Sequence, residues 1–280
     1  MREIHIKEIT STVKSLCIHA NICLNPDIRQ GLQQAMSEEP FPPAKDILHI
    51  IEKNAQVAQE EALPICQDTG MTVVFLEIGQ DVHIVGGDLY TAIHQGVREG
   101  YEQGVLRKSV VKDPLRRENT QDNTPAVIHV KIVPGKALRI NVVPKGFGSE
   151  NMSRITMLKP ADGVEGIKAF VIDTVRKAGP NACPPMVIGI GIGGTFEKAA
   201  LLAKEALTLP IDQKNEDAYY DNLEKELMEA INATGVGPQG FGGKTTCLGV
   251  NIKAYPTHIA GLPVACNISC HATRHSEKIL

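Results

Sequence analysis

The chain has 280 residues, 42% of them hydrophobic, with 29 basic and 32 acidic side chains for a net charge of −3. That is enough apolar material for one large domain over residues 1–280, or for two lobes. Acidic and basic residues are mixed along the chain, so no basic block points to nucleic acid and no basic amphipathic stretch points to a membrane surface. Met1–Lys7 carries charges of both signs too early for a signal peptide, and no apolar run approaches the ~18 residues of a spanning helix. A soluble, cytoplasmic protein is expected. Aromatic residues make up only 4%, with no Trp, which argues against stacking platforms for bases or sugars. Seven cysteines, an odd number in a chain too large to need disulfides, raise the question of metal binding or catalysis.

Residues 4–61 are predicted helical. Ile47, Leu48, Ile51, Ala55 and Ala58 recur at helical spacing with Asp46 near the start, and Pro40, Pro42 and Pro43 separate this helix from an earlier helical region. Pro64 then stops the chain before Cys66-Gln67-Asp68-Thr69-Gly70, a polar turn feeding an apolar run from Met71. Apolar segments follow at 71–78, where a buried strand is expected, and at 82–85, then a helix from Leu89 to Glu102 and a loop over Asp113–Pro125. Ala126–Val133 and Ala137–Val143 alternate in polarity around Pro134-Gly135-Lys136, the pattern of a β-hairpin. After the glycine loop Lys145–Ser153 come a helix over Asp162–Lys177, a buried strand at Met186–Ile192, a helix from Thr195, a charged helix over Glu216–Asn232 and an apolar run at Cys247–Ile252. Strands mixed with helices favour an α/β architecture, or a mixed α+β one, with mixed sheets flanked by helices.

Three cysteines sit in turn-like settings beside polar, Pro or Gly residues: Cys66, Cys183 in Asn-Ala-Cys-Pro-Pro, and Cys270 in Asn-Ile-Ser-Cys-His. They lie far apart, unlike the compact pairs of zinc ribbons or ferredoxins. Three convergent thiolates on a [4Fe–4S] cluster would leave one iron without a protein ligand and open to an oxygen donor. The competing reading is that cysteines here are small buried hydrophobes, which suits Cys17, Cys23 and Cys247. A local zinc site over Cys266, Cys270, His271 and His275 is a further alternative, although its Cys and His pairs lack the usual intervening length. Gly189–Gly194 matches G-x-G-x-x-G between a strand and a helix, but no acid ending a second strand follows. Tight strand–helix packing, or an anion at the helix start, is the expected use rather than NAD binding.

Seven segments taken together resemble one family: ICQDTG (65–70), NTQDNTPA (119–126), KGFGSENMS (145–153), ACPPMVIGIGIGGT (182–195), GPQGFGGKTT (237–246), PTHIAGLPVA (256–265) and CHATRH (270–275). In this order they are similar to the iron–sulfur, class I type of fumarate hydratase, and to its N-terminal half, which in two-subunit members is a separate α chain. The resemblance runs from about residue 10 to the C-terminus. It implies a [4Fe–4S] cluster held by Cys66, Cys183 and Cys270, with the site at strand-end turns, and reversible hydration of fumarate to (S)-malate. It implies substrate contacts from Gln67, Asp68, Arg107, Gly148 and His258, with Asp68 and His258 in the proton chemistry. Further basic residues and a threonine base are expected from a β subunit, in an α2β2 assembly acting on a small dicarboxylate. L-tartrate dehydratase, a sister enzyme, shares the CQDTG-like and ACPP-like segments and is the alternative. Ser149–Ser153 and Cys270-His271-Ala272 look like the fumarase form.

Overall fold

The computed structural model describes residues 1–280. They form two compact units. One comprises Met1–Leu24, Ala55–Phe147 and Arg274–Leu280, and the other Asn25–Asn54 and Gly148–Thr273. The amino-terminal region predicted as helical over 4–61 resolves into a strand β1 (Arg2–His5) and helices α1 (Ile6–Ile22), α2 (Pro26–Glu38) and α3 (Pro42–Glu60). Residues 2–5 are extended because β1 pairs in parallel with β3 (Val82–Val85). His5 ends the strand and starts the helix, its Nδ1 accepting the Lys7 N–H at 3.1 Å. Prolines open both α2 and α3, where a missing N–H costs nothing.

The first unit also holds β2 (Met71–Gly79), α4 (Leu89–Gln103), β4 (Val127–Val133), β5 (Leu138–Lys145) and β10 (Ser276–Ile279). Its main sheet has the order β10-β5-β2-β4. The hairpin expected between β4 and β5 is therefore absent: β2 lies between them, parallel to β4 and antiparallel to β5. The turn at 134–136 is real, but it spans two strand positions, and Gly135 O accepts the Asp81 N–H at 3.0 Å beyond the end of β2. Insertion of β2 brings Val74 and Leu76 into one core with Val142, Ile140, Val13, Leu16, Val97 and Tyr101. A two-stranded ribbon alone would not bury enough apolar surface to be stable.

The second unit is built on a sheet of order β6-β9-β7-β8, from β6 (Arg154–Leu158), β7 (Met186–Gly193), β8 (Cys247–Tyr255) and β9 (Leu262–Ser269). The four-residue α5 (Phe147–Glu150), then α6 (Gly163–Ala178), α7 (Phe196–Ala206) and α8 (Ala218–Asn232) complete the elements. β6 and β9 were not foreseen, since neither shows a long apolar alternation. β7 is buried along its whole length and alternates isoleucine with glycine. Ile188, Ile190 and Ile192 join the core with Phe170 and Val171 of α6 and Leu223 and Leu227 of α8. Gly189 and Gly191 face α7: a Cβ at these positions would stand 2.2 Å from Ala203 O and 2.0 Å from Ala199 O. The glycine motif thus seats helix against strand, as its sequence context suggested. Together the two units make a mixed α/β protein with mixed sheets flanked by helices. No helix is long and apolar enough to cross a membrane.

Gly191→Ala is expected to lower unfolding stability by about 2–3 kcal/mol, because backbone must move to admit the methyl group. Urea unfolding of the variant beside Ala199→Gly, which removes a methyl without creating the clash, checks this.

Candidate active site

In the first unit, strand register places the chemistry. Met71 at the start of β2 pairs with Lys145 at the end of β5. The Cys66–Gly70 turn before β2 is therefore set beside Gly146-Phe147 after β5. Asp68 joins them: its Oδ1 accepts the Gly70 N–H at 3.0 Å and its Oδ2 accepts the Phe147 N–H at 2.8 Å. Gly70 has φ +78°, and a Cβ there would lie 2.8 Å from the Lys145 backbone, so the turn closes only with glycine. The Asp68 N–H points at the Cys66 sulfur, 3.4 Å away.

Buried polar groups hold the turn from behind. The fully buried Tyr101 donates its hydroxyl to Thr69 O at 2.7 Å, with Gly70 O at 3.0 Å. Asn123, also fully buried, donates to Gly70 O at 3.2 Å and accepts the Ser109 N–H at 2.7 Å. Arg274 reaches the Asp68 carbonyl through Nη2, and Thr69 Oγ1 donates to Arg107 O at 2.9 Å. The Gln67 and Arg107 side chains remain exposed. The structure therefore gathers Cys66, Gln67, Asp68 and Arg107 around one turn of this unit.

The second unit repeats the device. Val187 of β7 pairs with Ser269 of β9 in antiparallel register, so Cys183 before β7 and Cys270 after β9 lie at the same sheet end. His271 ties the two turns: its backbone N–H donates to Cys183 O at 3.2 Å, and its Nδ1 stands 3.0 Å from the same oxygen. Met186 pairs with Cys247 at the start of β8, which brings the glycine-rich loop 235–246 to that end as well. Gln239, in this loop, places both its backbone N and its side-chain Nε2 at 2.8 Å from Pro184 O. Glu39 anchors the far side of the loop. It is 4% exposed and accepts N–H groups from Phe41, Lys244 and Thr245. Burial pushes its carboxyl up, but these backbone donors more than offset that and carry it below the ordinary glutamate range.

His258, predicted to meet substrate, lies on an exposed turn of the second unit. Its Nδ1 accepts the Ala260 N–H at 3.2 Å, which puts the neutral ring's proton on Nε2. It borders a largely apolar groove with Ile167, Ile192, Tyr219, Leu223 and Ile259. Gly148 is in the same unit, within α5, with Asn181 O as its nearest neighbour for an added Cβ, at 3.6 Å.

All seven cysteines are free thiols, and they fall into two chemical sets. Burial pushes Cys17, Cys247 and Cys266 each up to about 12, beyond use as ready thiolates. Cys23, expected to be buried with Cys17 and Cys247, is instead half-buried, although burial still raises its thiol. Cys66, Cys183 and Cys270 are the half-buried cysteines mounted on strand-end turns. The local zinc site does not form, because Cys266 is 1% exposed in the hydrophobic core. Within either unit, no group of three or more His, Cys, Asp or Glu side chains is arranged to hold a metal ion. Partly accessible thiols on turns are the donor type that iron–sulfur clusters take.

Sequence reasoning did not single out Tyr101, Asn123, Gln239, His271 or Arg274 as supporting residues. Four of them lie inside motifs quoted above. Tyr101 gave no signal, since an aromatic residue late in a helix is ordinary core.

The family model described as "Fumarate hydratase (Fumerase)" matches residues 10–278. The chain belongs to this family of hydro-lyases. It is 41% identical over 97% of each chain to a Methanocaldococcus jannaschii protein named "Putative L(+)-tartrate dehydratase subunit alpha". It is 30% identical to the L(+)-tartrate dehydratase subunit alpha of Escherichia coli K12, over 98% of this chain and 91% of that one.

Glu39 gives a pH signature. Its folded-state pKa is depressed, so its contribution to stability is complete above the ordinary glutamate value of 4.5 and is lost as the pH falls below it. Glu39→Gln should be less stable than the parent at pH 7, and the gap should narrow below about pH 4. Chemical denaturation across that range measures it.

Proposed function

We propose that the chain is the α subunit of an iron–sulfur hydroxy-diacid dehydratase that removes water from L-tartrate, with a β subunit completing the site in an α2β2 assembly. The observation carrying this reading is the 41% identity to a protein of that name over 97% of both chains. A second reading, reversible hydration of fumarate to (S)-malate, is favoured by the family description and by the Ser149–Ser153 and Cys270–Ala272 segments. In the dehydrating direction both reactions are loss of water from a 2-hydroxy diacid, and the same residues serve either. From tartrate the first product is an enol, which tautomerises to the 2-oxo diacid.

Cys66, Cys183 and Cys270 are assigned to hold a [4Fe–4S] cluster. When bound, such a cluster supplies an iron with an open coordination position, a Lewis acid toward hydroxyl and carboxylate oxygens. The remaining work falls to side chains. Asp68 is held by two backbone N–H groups, yet each carboxylate oxygen keeps a second lone pair. One of those lone pairs is assigned to take up a proton from solvent before turnover and hand it to the departing hydroxide, which leaves as water and returns Asp68 to the carboxylate. His258 stands past the end of the β7–β9 sheet opposite Cys183 and Cys270, so no proton step beside those cysteines is assigned to it within one chain. Arg107 presents an exposed guanidinium whose fork matches a carboxylate in two-point contact. Gln67 adds an amide donor, and Gly148 leaves its backbone N–H open to a carboxylate with no side chain in the way. The base that takes the carbon-bound proton is assigned to the β subunit.

Co-expression with the β subunit and anaerobic assay test this. The expected kcat/KM for L-tartrate exceeds that for (S)-malate by at least about tenfold, since a site that bonds the second hydroxyl penalises its absence. Malate turnover without tartrate turnover would replace the first reading by the second, and failure with both would refute the pair. Asp68→Asn is expected to lower kcat by about 10²–10⁴-fold with iron content unchanged.

A further inference from the structure

We propose that Gln239 is a positioning residue that locks the Cys183 turn to the Cys270 turn. The inference rests on the reading that these two cysteines hold the cluster, and it concerns how their turns are kept in place. Gln239 has φ +53° and ψ 15°, a left-handed conformation that costs a residue with a side chain and costs glycine little. Gly237, Gly240, Gly242 and Gly243 around it take positive φ without that penalty. The strained position is the one that carries a side chain, and the side chain is used.

Both nitrogens of Gln239 lie 2.8 Å from the carbonyl of Pro184, the residue after Cys183. Its Nε2 is also 3.1 Å from Nδ1 of His271, the residue after Cys270. The same Nδ1 is 3.0 Å from Cys183 O, which also receives the His271 backbone N–H at 3.2 Å. A proton on Nδ1 serves the Cys183 carbonyl, and a bare Nδ1 receives the amide. Either way the imidazole is clasped between the two cysteine turns, with Gln239 closing the ring of contacts. Cys183 itself is left-handed, at φ +51°, so its turn holds a conformation that its surroundings must enforce. The loop that delivers Gln239 is fixed from the opposite side by Glu39 through Lys244 and Thr245. Residues that hold ligand-bearing turns in this manner set how tightly a metal centre is kept, without touching substrate.

The test uses the anaerobically reconstituted αβ holoenzyme. Gln239→Gly suits the left-handed backbone, so its thermal midpoint should match the parent's within a few degrees while the amide contacts are lost. Iron release to EDTA, followed by loss of the cluster's visible absorbance, should be about tenfold faster or more, and the electron paramagnetic resonance signal of the dithionite-reduced cluster should shift. Gln239→Glu keeps the length and the backbone N–H but has no side-chain N–H for Pro184 O or His271 Nδ1, and should release iron as fast as the glycine variant. Release rates and resonance signals equal to the parent's in both variants would overturn the proposal. Cys183→Ser is run in parallel: full iron retention there would refute the ligand assignment itself. Loss of iron there, with parental behaviour in both Gln239 variants, would sink the positioning role alone.

Discussion

The antiparallel register of β7 and β9 is the constraint on which the second unit's chemistry depends. Because Val187 faces Ser269, the residues just before one strand and just after the other emerge at a single sheet end, however far apart they lie in sequence. Shifting that pairing by one residue would turn every side chain of a strand to the opposite face. The isoleucine–glycine alternation of β7 forbids it: a slipped strand would drive isoleucines into α7 and leave glycines facing the core of α6 and α8. Packing therefore specifies register, and register specifies where Cys183 and Cys270 stand.

The first unit uses the same arrangement with different residues. Met71 opposite Lys145 sets the Cys66 turn beside the Gly146-Phe147 turn, and Asp68 bonds across the junction. In each unit a turn bearing a cysteine precedes a buried strand, and the end of an antiparallel neighbour closes on it. Polar side chains with few exposed atoms then immobilise the turns: Tyr101 and Asn123 in one unit, Glu39 and Gln239 in the other. Buried donors and acceptors that are fully satisfied cost little and enforce one geometry, whereas partial loss leaves an expensive unpaired group. That is the physical reason to expect supporting residues to matter as much as those that meet substrate.

Much of this was legible in the sequence, and the failures share a cause. The strands at 71–78 and 186–192 and the helices from Leu89 and over 162–177 and 216–232 were readable because apolar spacing is a local property. The Pro134-Gly135-Lys136 hairpin was misread because local alternation cannot reveal that β2 inserts between its arms. Residues 4 and 5 were taken as helix because β3, the partner of β1, lies far along the chain. The half-buried cysteines on turns could be picked out by neighbouring Pro, Gly and polar residues. Gln239 and His271 could not be given roles, since their partners are carbonyl groups of distant turns, and carbonyls leave no mark in a sequence.

The central claim is that Cys66, Cys183 and Cys270 hold the inorganic centre while the other four thiols are packing. Iron and acid-labile sulfide analysis of anaerobically reconstituted protein, across all seven single Cys→Ser variants, measures it most directly. The account predicts that the variants at Cys17, Cys23, Cys247 and Cys266 keep the parental complement whenever they fold, and that those at Cys66, Cys183 and Cys270 fold but lose it. A folded variant at any of these three positions with undiminished iron and sulfide would contradict it.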